Sequence, residues 1–449
     1  MKTLIIKNGT VIDPKSRLNK KIDIEISAGK ITDMSPKIIL KKNHEVINAK
    51  GLFIVPGFVD LHVHLREPGL THKETVKTGS LAAAKGGYTT VCAMPNTEPA
   101  IDSIQSLKNL QSIIKKDSTI NVLLIGAISK NRLGKKMTPI EAMKKHGIVA
   151  LSDDGDHLDD ERIMIEAMKK SKQLSIPISQ HCEEQALIQN GHLHEGWVSD
   201  YLGIKGRPRE AESNMVTRDI SIAEKFGGHL HIAHISTKES IKLVEQAKKA
   251  KLNITSEVTP HHLDLTHESI GVSNINRKVQ RPLFNTNMKV NPPLREAEDI
   301  DACIEGLNND TIDAIATDHA PHTFAEKSVV FEKAPPGISG LESAFAIGMS
   351  LVQKKKIKFE KLINKMTYGP VKAWNLNEIQ GMEGIGKIEI GQDADITLIN
   401  KSTKWTFDKE QIISMGKNSP YIDNVFQGKV VMTLHKGKII FNHRKHAAK

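Results

Sequence analysis

Phe58-Val59-Asp60-Leu61-His62-Val63-His64-Leu65-Arg66 ends an apolar run that begins at Phe53, and it carries two histidines one residue apart. Read as a strand, the run alternates its side chains between two faces, so His62 and His64 point the same way. Two imidazoles on one face at a strand end can grip a single metal ion, because neutral imidazole is the commonest protein ligand for metals. An H-x-H pair alone is more often incidental than functional. Its weight here comes from later strand-like runs that also end in metal-ligating residues.

Seven such runs follow, at residues 88–96, 121–129, 148–154, 176–183, 229–236, 253–262 and 312–319. Stretches between them, such as 160–173 and 237–250, have the spacing and length of helices. Eight β-then-α units predict a (β/α)8 barrel. A doubly wound open sheet is the alternative. No glycine-rich dinucleotide fingerprint follows the first run, and the count favours closure. Both ends of the chain read instead as short strands with glycine turns, as in Ile22-Asp23-Ile24-Glu25-Ile26 and residues 386–391, 394–399, 429–434 and 438–441. These are expected to form one small β-sandwich built from both termini. The expected division is 1–52 for its N-terminal part, 53–370 for the barrel and 371–449 for its C-terminal part. The polar stretch 267–281 is expected to be a mobile loop near the active-site mouth.

Barrel enzymes carry their chemistry at the C-terminal ends of the strands. Those ends supply His62 and His64, then Asp153-Asp154, His181, His234 and Asp318. Imidazole mixed with carboxylate suits Zn2+ or a similar divalent ion. The set exceeds what one four-coordinate zinc needs, so two ions are expected, sharing a bridging hydroxide. Alternation places His231 on the face opposite His234, which makes His231 structural. It also admits only one of Asp153 and Asp154 to the barrel, leaving the other to cap backbone around Gly155. Cys182 should face outward against a helix, and His261 and His262 are packing or mouth residues.

The 449 residues carry 63 Lys and Arg against 52 Asp and Glu, a net charge of +11. The basic residues are scattered, and only 4% of the chain is aromatic, so no stacking pattern for nucleic acid is present. A positive field of this kind favours anionic small substrates. Three cysteines without a C-x-x-C pair point to a reducing compartment. The first residues do not form a signal peptide, and no stretch has the apolar length of a membrane span. A soluble cytoplasmic protein that leaves nucleic acid and membrane alone is the expectation.

The motifs taken together resemble the dihydroorotases of the long bacterial class, within the cyclic amidohydrolase superfamily. The resemblance rests on residues 56–69, Met94-Pro95-Asn96-Thr97, Ser152-Asp153-Asp154-Gly155, His181-Cys182-Glu183, Arg209-Glu210-Ala211-Glu212 and Ala233-His234-Ile235-Ser236-Thr237. It continues through residues 257–262, 289–295 and 316–322, then Gly340-Leu341-Glu342 and Gly391-Gln392-Asp393-Ala394-Asp395. It implies that His62, His64 and Asp318 hold one zinc, that His181 and His234 hold a second, and that Asp154 contacts both. It implies that Arg66, Asn96 and His322 bind the substrate carboxylate, while Asn291 and the backbone near Gly337 read the ring amide. Pro336 stands where a larger apolar residue is common, and Glu67 where Asp is common.

The implied reaction is the reversible cyclisation of N-carbamoyl-L-aspartate to L-dihydroorotate, in the direction pyrimidine synthesis needs. Asp318 would be general base to the bridging hydroxide, then general acid to the ring nitrogen. A hydantoinase or allantoinase would need a lysine at the bridge, and the run 148–154 contains none. A non-catalytic partner of aspartate transcarbamoylase would have lost ligand positions, and all six are filled here. The sequence leaves open a homodimer and an association with that transcarbamoylase.

Overall fold

The computed structural model describes residues 3–156, 158–271 and 284–443. Eight parallel strands form one sheet: β1 (Phe58–Val63), β2 (Tyr88–Ala93), β3 (Asn121–Gly126), β4 (Ile148–Leu151), β5 (Pro177–Gln180), β6 (His229–Ile232), β7 (Ile254–Val258) and β8 (Ala314–Ile315). They lie in chain order. A parallel bridge from Val63 to His319, with the His64 amide 2.9 Å from the His319 carbonyl, joins the last strand end to the first. The fold is thus a (β/α)8 barrel. Among the described residues no helix is long and apolar enough to cross a membrane.

In the seven later runs the strands begin within two residues of the start of the run and stop earlier than the run does. His181 follows β5 directly, His234 lies two residues past β6, and Asp154 and Asp318 each lie three residues past their strands. A residue beyond the last ladder bond is free of the strand's twist and can aim inward.

The apolar run 53–59 is not one strand, contrary to its reading above. Phe53–Pro56 pairs antiparallel with Ile396–Thr406, from Phe53 opposite Ile399 to Pro56 opposite Ile396. Gly57 divides it from β1. A Cβ there would fall 2.1 Å from the Thr89 hydroxyl, so only glycine lets the chain pass from one sheet to the other.

The six-stranded sheet that takes Phe53–Pro56 runs Lys438–Asn442, Val425–His435, Ile396–Thr406, Phe53–Pro56, Thr10–Asp13, Leu18–Lys21. A four-stranded sheet of N-terminal strands faces it. Ile6, Ile24 and Ile26 of that sheet share one apolar core with Ile54, Leu398 and Leu434. Both termini therefore build the small sandwich. The strand expected at 386–391 does not form; Ile388 is buried there without a ladder. Of the stretch 267–281, His267–Ile270 is a short 3₁₀ helix and 272–281 lies outside the described residues.

Candidate metal centre and substrate cavity

His62, His64, Asp154, His181, His234 and Asp318 converge at the C-terminal mouth of the barrel. His62, His64 and Asp154 form one group whose donor atoms lie within 4.8 Å of one another, and Asp154, His181 and His234 form a second. Asp154 belongs to both. Its Oδ1 stands 3.5 Å from His62 Nε2, 3.3 Å from His234 Nε2 and 3.7 Å from His181 Nδ1, while Oδ2 stands 3.5 Å from His64 Nε2. Asp318 Oδ1 lies 2.9 Å from His64 Nε2 and 3.5 Å from His62 Nε2.

The ring orientations are set from behind. His62 Nδ1 meets Glu257 Oε1 at 2.8 Å, so its proton goes there and the Nε2 lone pair faces the cluster. That Nε2 is buried and has no hydrogen-bond partner among the described residues. His64 Nδ1 meets Asn96 Oδ1 at 2.7 Å, with the same effect on its own Nε2. His181 Nδ1 and His234 Nε2 face each other at 2.9 Å. Inward lone pairs beside two carboxylates repel unless a cation stands among them. Donors on one tetrahedral zinc, at about 2.0–2.1 Å each, are roughly 3.3 Å apart. The separations here bracket that value, so the donor set fits divalent metal.

Burial opposes charge on Asp154, yet the charge of His62 when that ring is protonated, with hydrogen bonding from His234 and His62, outweighs it and holds the carboxyl well below its ordinary range. Asp318 is likewise held low against its burial, chiefly by His64. Both are carboxylates at neutral pH. Three residues of the mouth take left-handed backbone: Arg66 at φ +62°, His234 at +32° and Asp318 at +46°. For residues with a Cβ this costs of order 1–3 kcal/mol each and recurs at functional sites.

A cavity of about 220 Å³ opens beside the cluster. His64, Asp154, His181, His234 and Asp318 line one side, and Arg66, Asn96, Asn291, His322, Pro336 and Gly337 line the rest. Arg66 is buried. Among the described residues no carboxylate pairs with it, and it donates only to the Pro321 carbonyl and toward His322. Asn96 spends its carbonyl on His64, which leaves its amide protons for the cavity. Asn291 donates to Glu183 and lies 3.2 Å from His181 Nε2, while its own carbonyl accepts from Arg207. His322 Nε2 is 3.0 Å from the Pro336 carbonyl. The Gly337 amide is given to the Lys289 carbonyl at 2.8 Å, and the Gly337 carbonyl accepts from Asn418. Glu67 instead accepts from the Val76 amide, at the start of helix Val76–Gly86.

Two expectations from alternation need correcting. His231 does not face away from the cluster: its Nε2 is 3.2 Å from Glu257 Oε2, and Glu257 holds His62. The alternation ended with β6, before His234. Asp153 does stay out of the cluster, but it accepts from the Ile128 and Ser129 amides rather than capping around Gly155. Cys182 packs as expected, beside Asp219 of helix Glu210–Phe226. Glu257 and Glu183 stood inside motifs but drew no role. The signal for Glu257 was a carboxylate within an otherwise strand-like run, where a buried charge needs a partner.

A family profile described as dihydro-orotase-like matches residues 51–240. The dihydroorotase of Bacillus cytotoxicus is 42% identical over 438 residues, covering 97% of this chain and 98% of its own. That of Caldanaerobacter subterraneus subsp. tengcongensis is 42% identical over 443 residues, covering 98% of each. Among solved structures, an L-hydantoinase from Arthrobacter aurescens superposes with a TM-score of 0.86 at 23% identity, covering 99% of this chain and 97% of its own. A dihydropyrimidinase from Brevibacillus agri gives 0.83 at 21%, covering 98% and 95%. The likeness of these structures is one of fold, whereas the sequence identity runs the length of the chain: it belongs to the dihydroorotase family, among the cyclic amidohydrolase enzymes.

Proposed function

We propose that this protein is a dihydroorotase that interconverts N-carbamoyl-L-aspartate and L-dihydroorotate, in the step of pyrimidine synthesis that closes the ring. The observation that carries the reading is the position of Asp154, common to two donor groups and facing a cavity whose far wall holds a buried arginine with no carboxylate partner among the described residues. A hydantoinase has no need of that arginine, since its substrate ring lacks the carboxylate.

His62, His64 and Asp318 would hold one Zn2+, His181 and His234 a second, with Asp154 between them. When bound, the ions polarise the amide carbonyl and make a water nucleophilic near neutral pH. The chain's own residues do the rest. Arg66 fixes the substrate carboxylate through paired N–H donors, with Asn96 and His322 beside it. Asn291 and the Gly337 carbonyl orient the amide end, and Pro336 closes over the ring. Asp318, held as a carboxylate, takes on Oδ the proton given up by the attacking water and delivers it to the ring nitrogen as the ring C–N bond breaks. In the closing direction it removes the proton from that nitrogen and returns it to the oxygen that leaves as water. The cavity, smaller than the roughly 300–1,000 Å³ of drug-sized sites, suits a single small ring.

The test is an assay of the purified protein on L-dihydroorotate and N-carbamoyl-L-aspartate, paired with elemental analysis for metal. Turnover in both directions that disappears with chelation and returns with Zn2+ is expected. Hydrolysis of hydantoin or dihydrouracil in preference to dihydroorotate would overturn the reading.

A further inference from the structure

The wall of the cavity that carries His322 and Gly337 is backed by a segment distant in sequence. Residues 414–419 leave the C-terminal sheet and run behind the loop that follows β8. The Ser414 hydroxyl donates to Glu74, whose Oε2 is 3.4 Å from His319 Nε2. Gly416 passes so close that a Cβ there would fall 2.6 Å from the His322 amide nitrogen and 2.6 Å from Pro321 Cβ.

Asn418 is the centre of this contact. It is 4% exposed, and every hydrogen-bonding position of its side chain has a partner. Nδ2 donates to the Ala320 carbonyl at 3.0 Å and to the Gly337 carbonyl at 2.9 Å. Oδ1 accepts from the His322 amide at 2.8 Å and from the Ser339 hydroxyl at 2.9 Å. The amide's orientation is unambiguous, because two partners are carbonyls and one is a main-chain N–H. One side chain thus ties the loop bearing His322 to the turn bearing Gly337. A segment free of that tie would move both groups relative to each other and to the cluster.

We propose that Asn418 is a positioning residue for substrate: it sets His322 and the Gly337 carbonyl at their working separation before substrate arrives. The inference rests on the proposed dihydroorotase reading and adds to it a residue that touches neither substrate nor metal. It also assigns the C-terminal segment a part in binding, alongside its part in the sandwich.

Asn418→Asp tests it with almost no change of shape. The new oxygen faces two carbonyls where an amide donated to both. With both of these donations lost, KM for L-dihydroorotate should rise about tenfold or more. Turnover number should stay within about threefold, as for a change in binding alone. Metal per chain should equal that of the wild type, and amide hydrogen exchange should quicken over 318–322 and 336–339 but not in the barrel strands. An unchanged KM overturns the proposal. A raised KM with faster exchange throughout the barrel also overturns it, as general loosening. If Asn418→Asp does not fold, Gly416→Ala displaces the same loop by its Cβ and is judged by the same KM and exchange criteria. Should the wild type fail to turn over dihydroorotate, the functional reading falls by itself. Local exchange in the variant then decides whether Asn418 fixes this wall.

Discussion

Glu257 Oε1 lies 2.8 Å from His62 Nδ1, and both side chains are buried completely. The other Glu257 oxygen is 3.2 Å from His231 Nε2, so one carboxylate joins an imidazole of β1 to an imidazole of β6. Burial raises the acid's pKa, but His231 and His62 overcome this and hold it at about 2. Glu257 is therefore charged and fixes which His62 nitrogen faces the cluster.

Replacing Glu257 by Ala should weaken metal binding about 10–100-fold, as loss of an outer carboxylate behind a ligating histidine does elsewhere. Gln, which can still accept from Nδ1, should lose less. Competition with a chelator measures both; equal affinity in all three proteins would show that His62 is oriented by other contacts.

Asp318→Asn keeps the size of the side chain and removes its capacity to take up a proton. Turnover should fall by about 10²–10⁴-fold, the usual contribution of a positioned acid or base. At least one metal ion should remain, since His62, His64 and Asp154 stay in place. Cyclisation at the wild-type rate would assign proton transfer to another group.

Arg66→Met should act on binding. With no carboxylate among the described residues paired with the guanidinium, its removal is expected to raise KM for dihydroorotate by about 10–100-fold, the worth of a charge-assisted hydrogen bond or two. Inhibition by a simple dicarboxylate such as succinate should weaken in parallel. A KM that does not move would place the substrate carboxylate elsewhere.

His229, at the foot of β6, offers a prediction in pH. Burial and the neighbouring His231 lower its pKa to about 3. The unfolded chain binds a proton near pH 6.5 that the folded chain refuses. Its contribution to stability is thus complete above pH 6.5 and is lost as pH falls from there toward 3, by up to about 1.4 kcal/mol per pH unit. His229→Gln, which can keep the bond from this position to Thr255, should unfold in urea with a shallower dependence on pH across that window. Identical slopes would mean that His229 takes up its proton in the folded state.

The barrel was legible because each strand announces itself as an apolar run and because its ligands sit at the run's end. His62, Asp154, His181, His234 and Asp318 could be picked out for that reason. What misled was carrying the two-residue alternation past the last ladder bond. The backbone turns there, at φ +32° for His234, and face can no longer be counted from the strand. The division at Gly57 was hidden because apolar residues continue on both sides of it, and only the contact with Thr89 reveals the bend. Asn418 left no local trace at all. Its four partners lie between residues 320 and 339, and a polar residue in a C-terminal loop reads like any other until the fold brings it against them.

The pairing of Phe53–Pro56 with Ile396–Thr406 also bears on how the protein is made. A ribosome releases the first of these strands long before the second exists, and long-range pairings form slowly. Nascent chains must hold an open sheet edge beside β1 until the final strands emerge. Clipping the tail by a few dozen residues would leave that edge bare for life, so truncated translation products of this protein should aggregate rather than persist as free-standing barrels.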